Sequence, residues 1–153
     1  MEDSPSRDIS FQTLIQEQSS GLEDPVHLVI RDQNSWTEIW RLKATTTPIP
    51  PPPHVDWSTT MVILVALGAR SAFNYDVEID RITQRGGIFT VHAVETLPGC
   101  VTFDAFSHPV HAVTTARFDG KVDVTIEQRQ TVCEDCTCEL AQYRDRPPPA
   151  RSE

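Results

Sequence analysis

The sequence predicts a β-rich α+β domain: an antiparallel sheet of about six or seven strands, sandwich-like or half-barrel, with one short helix packed on it. Three observations carry this expectation. Met61–Leu67 is a continuous apolar run rich in β-branched residues, as expected of a central strand. Apolar and polar residues alternate on both sides of Gly86-Gly87, the signature of a hairpin with one wet face. Ser35-Trp36-Thr37-Glu38 is a single clear helix start.

Taken in chain order, Ile9–Gln16 and Val26–Ile30 read as short strands. Ser35 is the expected N-cap, with Glu38 closing a capping box. Trp36, Ile39 and Trp40 then share one helical face at i, i+3 and i+4 spacing, which marks the two indoles, together with Trp57, as core. The threonines after Ala44 and Pro48 end this helix. Pro48 and Pro50–Pro53 fix φ and remove donors, so they form a stiff surface loop rather than strand or helix. Tyr75, Val77, Ile79 and Ile82 alternate with Asp76, Glu78 and Asp80 and turn at Gly86-Gly87 into Ile88–Leu97. A second hairpin is expected from His111–Phe118 through Asp119-Gly120 into Lys121–Gln128. Residues 1–8 are expected to be disordered, residues 9–130 to form the domain, and residues 131–153 to be a polar tail carrying Pro147–Pro149.

Composition restricts function. The chain has 153 residues, 13 basic and 22 acidic, for a net charge of −9 and a pI near 4.9. Nucleic-acid binding needs a basic footprint, so it is not expected. No run of roughly 18 apolar residues could span a membrane. The stretch from Met1 lacks a basic start followed by an apolar segment, so no signal peptide is expected in this chain.

Catalysis has few candidates. Ser71 lacks a Gly-x-Ser-x-Gly elbow, Cys100 lacks a catalytic-cysteine context, and Asp104, His92, His108 and His111 complete no constellation. Asp76 and Glu78 sit two apart on a strand, where a solvated face explains them. No catalytic residue is assigned. Cys100, Cys133, Cys136 and Cys138 allow two disulfides, for instance Cys133–Cys136 with Cys138 reaching back to Cys100. Free thiols remain open, as do three metal thiolates completed by His92, His108 or His111. The two separated cysteine pairs usual in structural zinc sites are lacking, so no metal ligand and no cofactor is assigned. The segment 68–75 is the most deliberate feature. Arg70, Phe73, Asn74 and Tyr75 supply a cation, aromatic faces and turn-forming polarity between two core strands, the residue types that anchor protein interfaces. The same aromatics could instead fold into the core.

From Phe11 to about Glu127 the order of residues resembles the PrcB C-terminal family, named for a subunit of a secreted bacterial protease complex. The resemblance is carried by Ser19–Leu22 before Val29–Asp32, by Trp36 and Trp40, and by Val55-Asp56-Trp57. It continues through Met61–Ile63, Leu67–Arg70, Tyr75–Ile79, Val91–Glu95, Pro98-Gly99 and His108–His111. It implies a small β-rich domain, extracellular or in the cell envelope, that accompanies or stabilises a protease rather than doing chemistry. The partner it implies is a protein, a secreted protease in the first instance. An inhibitor that inserts loop 68–75 into a protease cleft is the alternative. The family tends to carry Gly-Gly-Tyr where this chain has Phe73-Asn74-Tyr75, which exchanges the freest backbone for restricted residues. The three late cysteines lie beyond the matched region.

Overall fold

Strand β4 (Thr60–Ala66) is buried on both faces because it is the middle layer of three. The computed structural model describes residues 6–45, 47–70, 75–97 and 107–130. Met61, Ile63 and Val65 of β4, with Leu67 just beyond it, point into a core shared with a second sheet, where they meet Val77, Ile79, Ile82, Phe89, Val91 and Ala93. Val62, Leu64 and Ala66 point the other way, onto Trp36 and Trp40 of a helix, α1 (Gln33–Lys43). A strand covered on both sides must be apolar at every position, which is why its sequence shows no alternation.

The remaining strands are β1 (Arg7–Asp8), β2 (Phe11–Glu17), β3 (Val26–Ile30), β5 (Asp76–Arg85), β6 (Ile88–Leu97), β7 (Val110–Ala116) and β8 (Lys121–Gln130). They form two four-stranded sheets, ordered β1-β5-β6-β8 and β2-β7-β4-β3. The sheets are mostly antiparallel and do not close into a barrel, so the sandwich form holds. The described residues contain eight strands, β1 being only two residues long, against the six or seven expected. The N-terminal expectation also needs correction. Arg7 and Asp8 are not disordered: they pair with Gln84 and Thr83 of β5.

The hairpin at Gly86-Gly87 forms as expected, with Arg85 opposite Ile88 and Gly86 at φ +62°. The second expected hairpin does not form. β7 inserts between β2 and β4, and β8 crosses to the other sheet to run parallel to β6. The corner between them is pinned by side chains. Arg31 donates to the carbonyls of Phe118 and Gly120, and Arg117 donates to those of Arg31 and Trp57. Phe118 stacks on Phe89 with centroids 3.8 Å apart. Gly120 is required by close approach, since a Cβ there would lie 2.6 Å from the Phe118 ring and 2.7 Å from the Gly87 carbonyl oxygen.

The helix starts earlier than expected. Asp32, in extended conformation, is the N-cap, and its Oδ1 accepts from the Ser35 amide at 2.8 Å. That amide bond, then the Ser35 hydroxyl, hold the Asp32 carboxyl below its ordinary range. Ser35 is therefore the residue whose backbone N–H is capped, not the cap. Replacing Asp32 with alanine is expected to lower the denaturant midpoint, and Ser35→Ala to lower it clearly less; the reverse order would restore Ser35 as the cap. The indole N–H groups of Trp36 and Trp40 donate to the carbonyls of Pro53 (3.1 Å) and Pro50 (2.6 Å). A proline run makes no internal hydrogen bonds, so its carbonyls are free to fasten the loop to the helix.

Candidate partner-binding groove

β3 and β8 are edge strands of different sheets, and a groove of about 460 Å³ lies where they part. Val26 and His27 of β3, Ala66 and Leu67 at the end of β4, Ile126 of β8, and Pro25 supply its wall, with Arg70 and Glu95 as its charged groups. The inner face of β8 explains the opening. Val122 and Val124 are packed against the inter-sheet core, but Ile126, two residues on, is 41% exposed. Alternation keeps all three on the same face, so a residue of core type is presented to the groove.

Arg70 is fixed from several directions. Its backbone exchanges two hydrogen bonds with Ser107 (2.7 and 2.8 Å). Its Nε donates to Glu95 Oε2 at 2.9 Å, and its guanidinium carbon lies 5.9 Å from the Tyr75 ring centroid. Glu95 is 4% exposed, and Gln128 Nε2 donates to its other oxygen at 3.2 Å. Among the described residues the carboxylate is thus held by one cation and one amide, while the guanidinium keeps part of its surface open to the groove. Tyr75 is half-buried, and its carbonyl accepts from Gln18. The structure therefore brings Arg70 and Tyr75 together and adds Glu95, Gln128 and Ile126. Phe73, Asn74, Ser71, Asp104, Cys100, Cys133, Cys136 and Cys138 lie outside the described residues, and so does any disulfide or metal arrangement of those cysteines.

The three candidate histidines sit apart in separate settings. His92 is on the outer face of its sheet, with Nδ1 2.6 Å from Asp80 and Nε2 3.0 Å from Glu127. His108 Nε2 lies 3.1 Å from Glu23 Oε2 but is aligned too poorly to form a hydrogen bond. His111 is buried between the sheets, where its Nδ1 accepts from the Ile79 amide at 2.8 Å and its Nε2 meets the Thr13 hydroxyl at 2.9 Å. Among the described residues, no cluster of three or more histidine, cysteine or acidic side chains is placed to hold a metal. Asp76 is half-buried, and burial pushes its carboxyl above the ordinary range, whereas Glu78 is exposed. Among the described residues, no helix is long and apolar enough to cross a membrane.

A second concavity of about 470 Å³, at the C-terminal end of α1, is lined by Trp40, Lys43, Glu17 and Pro50. Its cation is already satisfied: Lys43 Nζ is 3.3 Å from both Glu17 oxygens and 4.2 Å from the Trp40 ring centroid. The groove beside Arg70 is the better site because it combines apolar wall with a partly open cation.

Residues 61–116 match the family model described as PrcB C-terminal. The matched stretch runs from β4 to the end of β7 and contains Arg70, Tyr75 and Glu95. No curated protein and no solved structure matches the chain.

Proposed function

We propose that this chain, which belongs over residues 61–116 to the PrcB C-terminal family, is a non-catalytic accessory domain that binds a protease through the groove beside Arg70. The observation that carries the proposal is the Arg70–Glu95 arrangement: a buried carboxylate orients a guanidinium at the mouth of an apolar groove. Arginine and aromatic side chains held rigid beside apolar surface lose little freedom on binding, which is what makes them interface anchors. The inhibitor reading uses the same surface, since Arg70 and Tyr75 belong to loop 68–75.

The test uses a variant that removes the cation without leaving an orphan charge. Arg70→Met alone is expected to destabilise the fold by about 3 kcal/mol, because the Glu95 carboxylate would stay buried without its cation. The double variant R70M/E95Q leaves no unpaired charge and is expected to fold. Affinity capture from native host extract should recover a protease with the wild-type chain and at least about tenfold less with R70M/E95Q. Equal recovery by both chains would remove the groove from the proposal, and eluates without any protease would remove the partner class.

A further inference from the structure

The four sheet edges are not equally protected. β1 is two residues long, β2 carries a register irregularity between Thr13 and Ile15, and β3 is five residues long and preceded by Pro25. Short length, bulges and prolines are the usual ways a sheet edge is kept from pairing. β8 has none of them. It runs ten residues in unbroken register with β6, contains no proline, and has no strand on its other side among the described residues.

We propose that β8 pairs antiparallel with β8 of a second copy of this chain, about a two-fold axis at Ile126, joining two four-stranded sheets into one. The register follows from charge. The pleat requires residues of the same face to oppose one another. With Ile126 opposite Ile126 of the second copy, the outer face sets Asp123 against Arg129 and Arg129 against Asp123, two opposite-charge pairs by symmetry. On the inner face the partly exposed Ile126 side chains meet each other, and Val124 meets Gln128. Centring on Thr125 would instead oppose Lys121 to Arg129 and Asp123 to Glu127, like against like. Centring on Glu127 opposes that carboxylate to itself. Centring on Val124 pairs Lys121 with Glu127 but leaves residues 128–130 outside the ladder, so it forms fewer main-chain bonds. The pairing requires only the backbone edge and the sequence of β8. It does not rest on the protease reading, because Asp123 and Arg129 lie on the face of β8 opposite the groove.

Sedimentation of the purified full chain tests it. The wild type is expected at twice the 17.2 kDa chain mass. Asp123→Arg sets two guanidinium groups against each other at both symmetry-related pairs, and Arg129→Asp sets two carboxylates there. Each single variant is expected to weaken the dimer by at least about tenfold. The double swap D123R/R129D is expected to restore it, and an equimolar mixture of the two single variants should form a mixed dimer. The side chains involved are largely exposed, so melting temperatures should stay within a few degrees of wild type. A wild-type chain that remains monomeric at roughly 100 μM would overturn the proposal, as when residues 131–153 of the same chain cover the edge. Single variants that stay dimeric, or a mixture that stays monomeric, would overturn it equally.

Discussion

Replacing His111 with leucine is expected to cost about 2 kcal/mol of folding stability near pH 8, and to abolish a loss of stability that the wild type is expected to show on acidification. His111 comes from β7 in one sheet, accepts the Ile79 amide of β5 in the other, and meets Thr13 of β2. Both partners lie at register irregularities, between Ile79 and Arg81 and between Thr13 and Ile15. The imidazole therefore ties the two sheets where their ladders are interrupted. Leucine keeps the apolar volume but strands the buried Ile79 amide, at roughly 1–3 kcal/mol, whereas the exposed Thr13 hydroxyl exchanges its partner for water. Because Nδ1 accepts a hydrogen bond, the folded ring is neutral and Nε2 carries the proton. Burial holds its pKa below the ordinary 6.5. The unfolded chain thus takes up a proton that the folded chain refuses as pH drops below that value. Wild-type stability falls over this window by up to about 1.4 kcal/mol per pH unit from this group, and is fully present above it. Urea unfolding of both proteins at pH 8.0 and 5.5 measures this. An equal acid response in H111L would assign the pH dependence to other groups.

Trp36→Ala is expected to have the largest effect, about 4 kcal/mol. Trp36 is fully buried, packs against Trp40 at 5.6 Å between centroids, and donates to the Pro53 carbonyl. Its loss opens a cavity between α1 and the outer face of β4 and releases one of two bonds holding the proline loop. Trp36→Phe should cost about half as much, since it retains an aromatic ring but not the donor. Against a total stability of roughly 5–15 kcal/mol, the alanine variant should unfold at far lower denaturant, with an unchanged slope. A cost below about 1 kcal/mol would mean that the helix is not a structural layer of this domain.

These interactions were unevenly legible in the sequence. The run at Met61 gave away a doubly covered strand, and the spacing of Trp36 and Trp40 identified the helix face that covers it. The strands on either side of Asp119-Gly120 were legible, but not their partners: alternation is the same in a hairpin and in a sheet-to-sheet crossover. The decision is made by the bonds of Arg31 and Arg117 and by the Phe118–Phe89 stack, each joining this corner to residues distant in sequence. Asp32 and Ser35 are both good cap residues three apart, and the backbone conformation at Asp32 selects it. At the groove, Arg70 and Tyr75 were identified by residue type, whereas Glu95 was missed. Its signal was parity: Phe89, Val91, Ala93 and Glu95 occupy one face of β6, so a carboxylate stands where an apolar residue belongs. Gln128 continues Val122, Val124 and Ile126 in the same way on β8. His111 offered no such signal, because its partners lie 32 and 98 residues away.

The central claim, a protease-accompanying domain acting through the Arg70 groove, is tested most directly by the time course of the captured protease's activity. We expect the wild-type chain to leave the initial rate unchanged and to lengthen the protease's half-life at least about threefold, with R70M/E95Q giving no extension. An immediate fall in initial rate would make the chain an inhibitor, and a half-life indifferent to the chain would contradict the account.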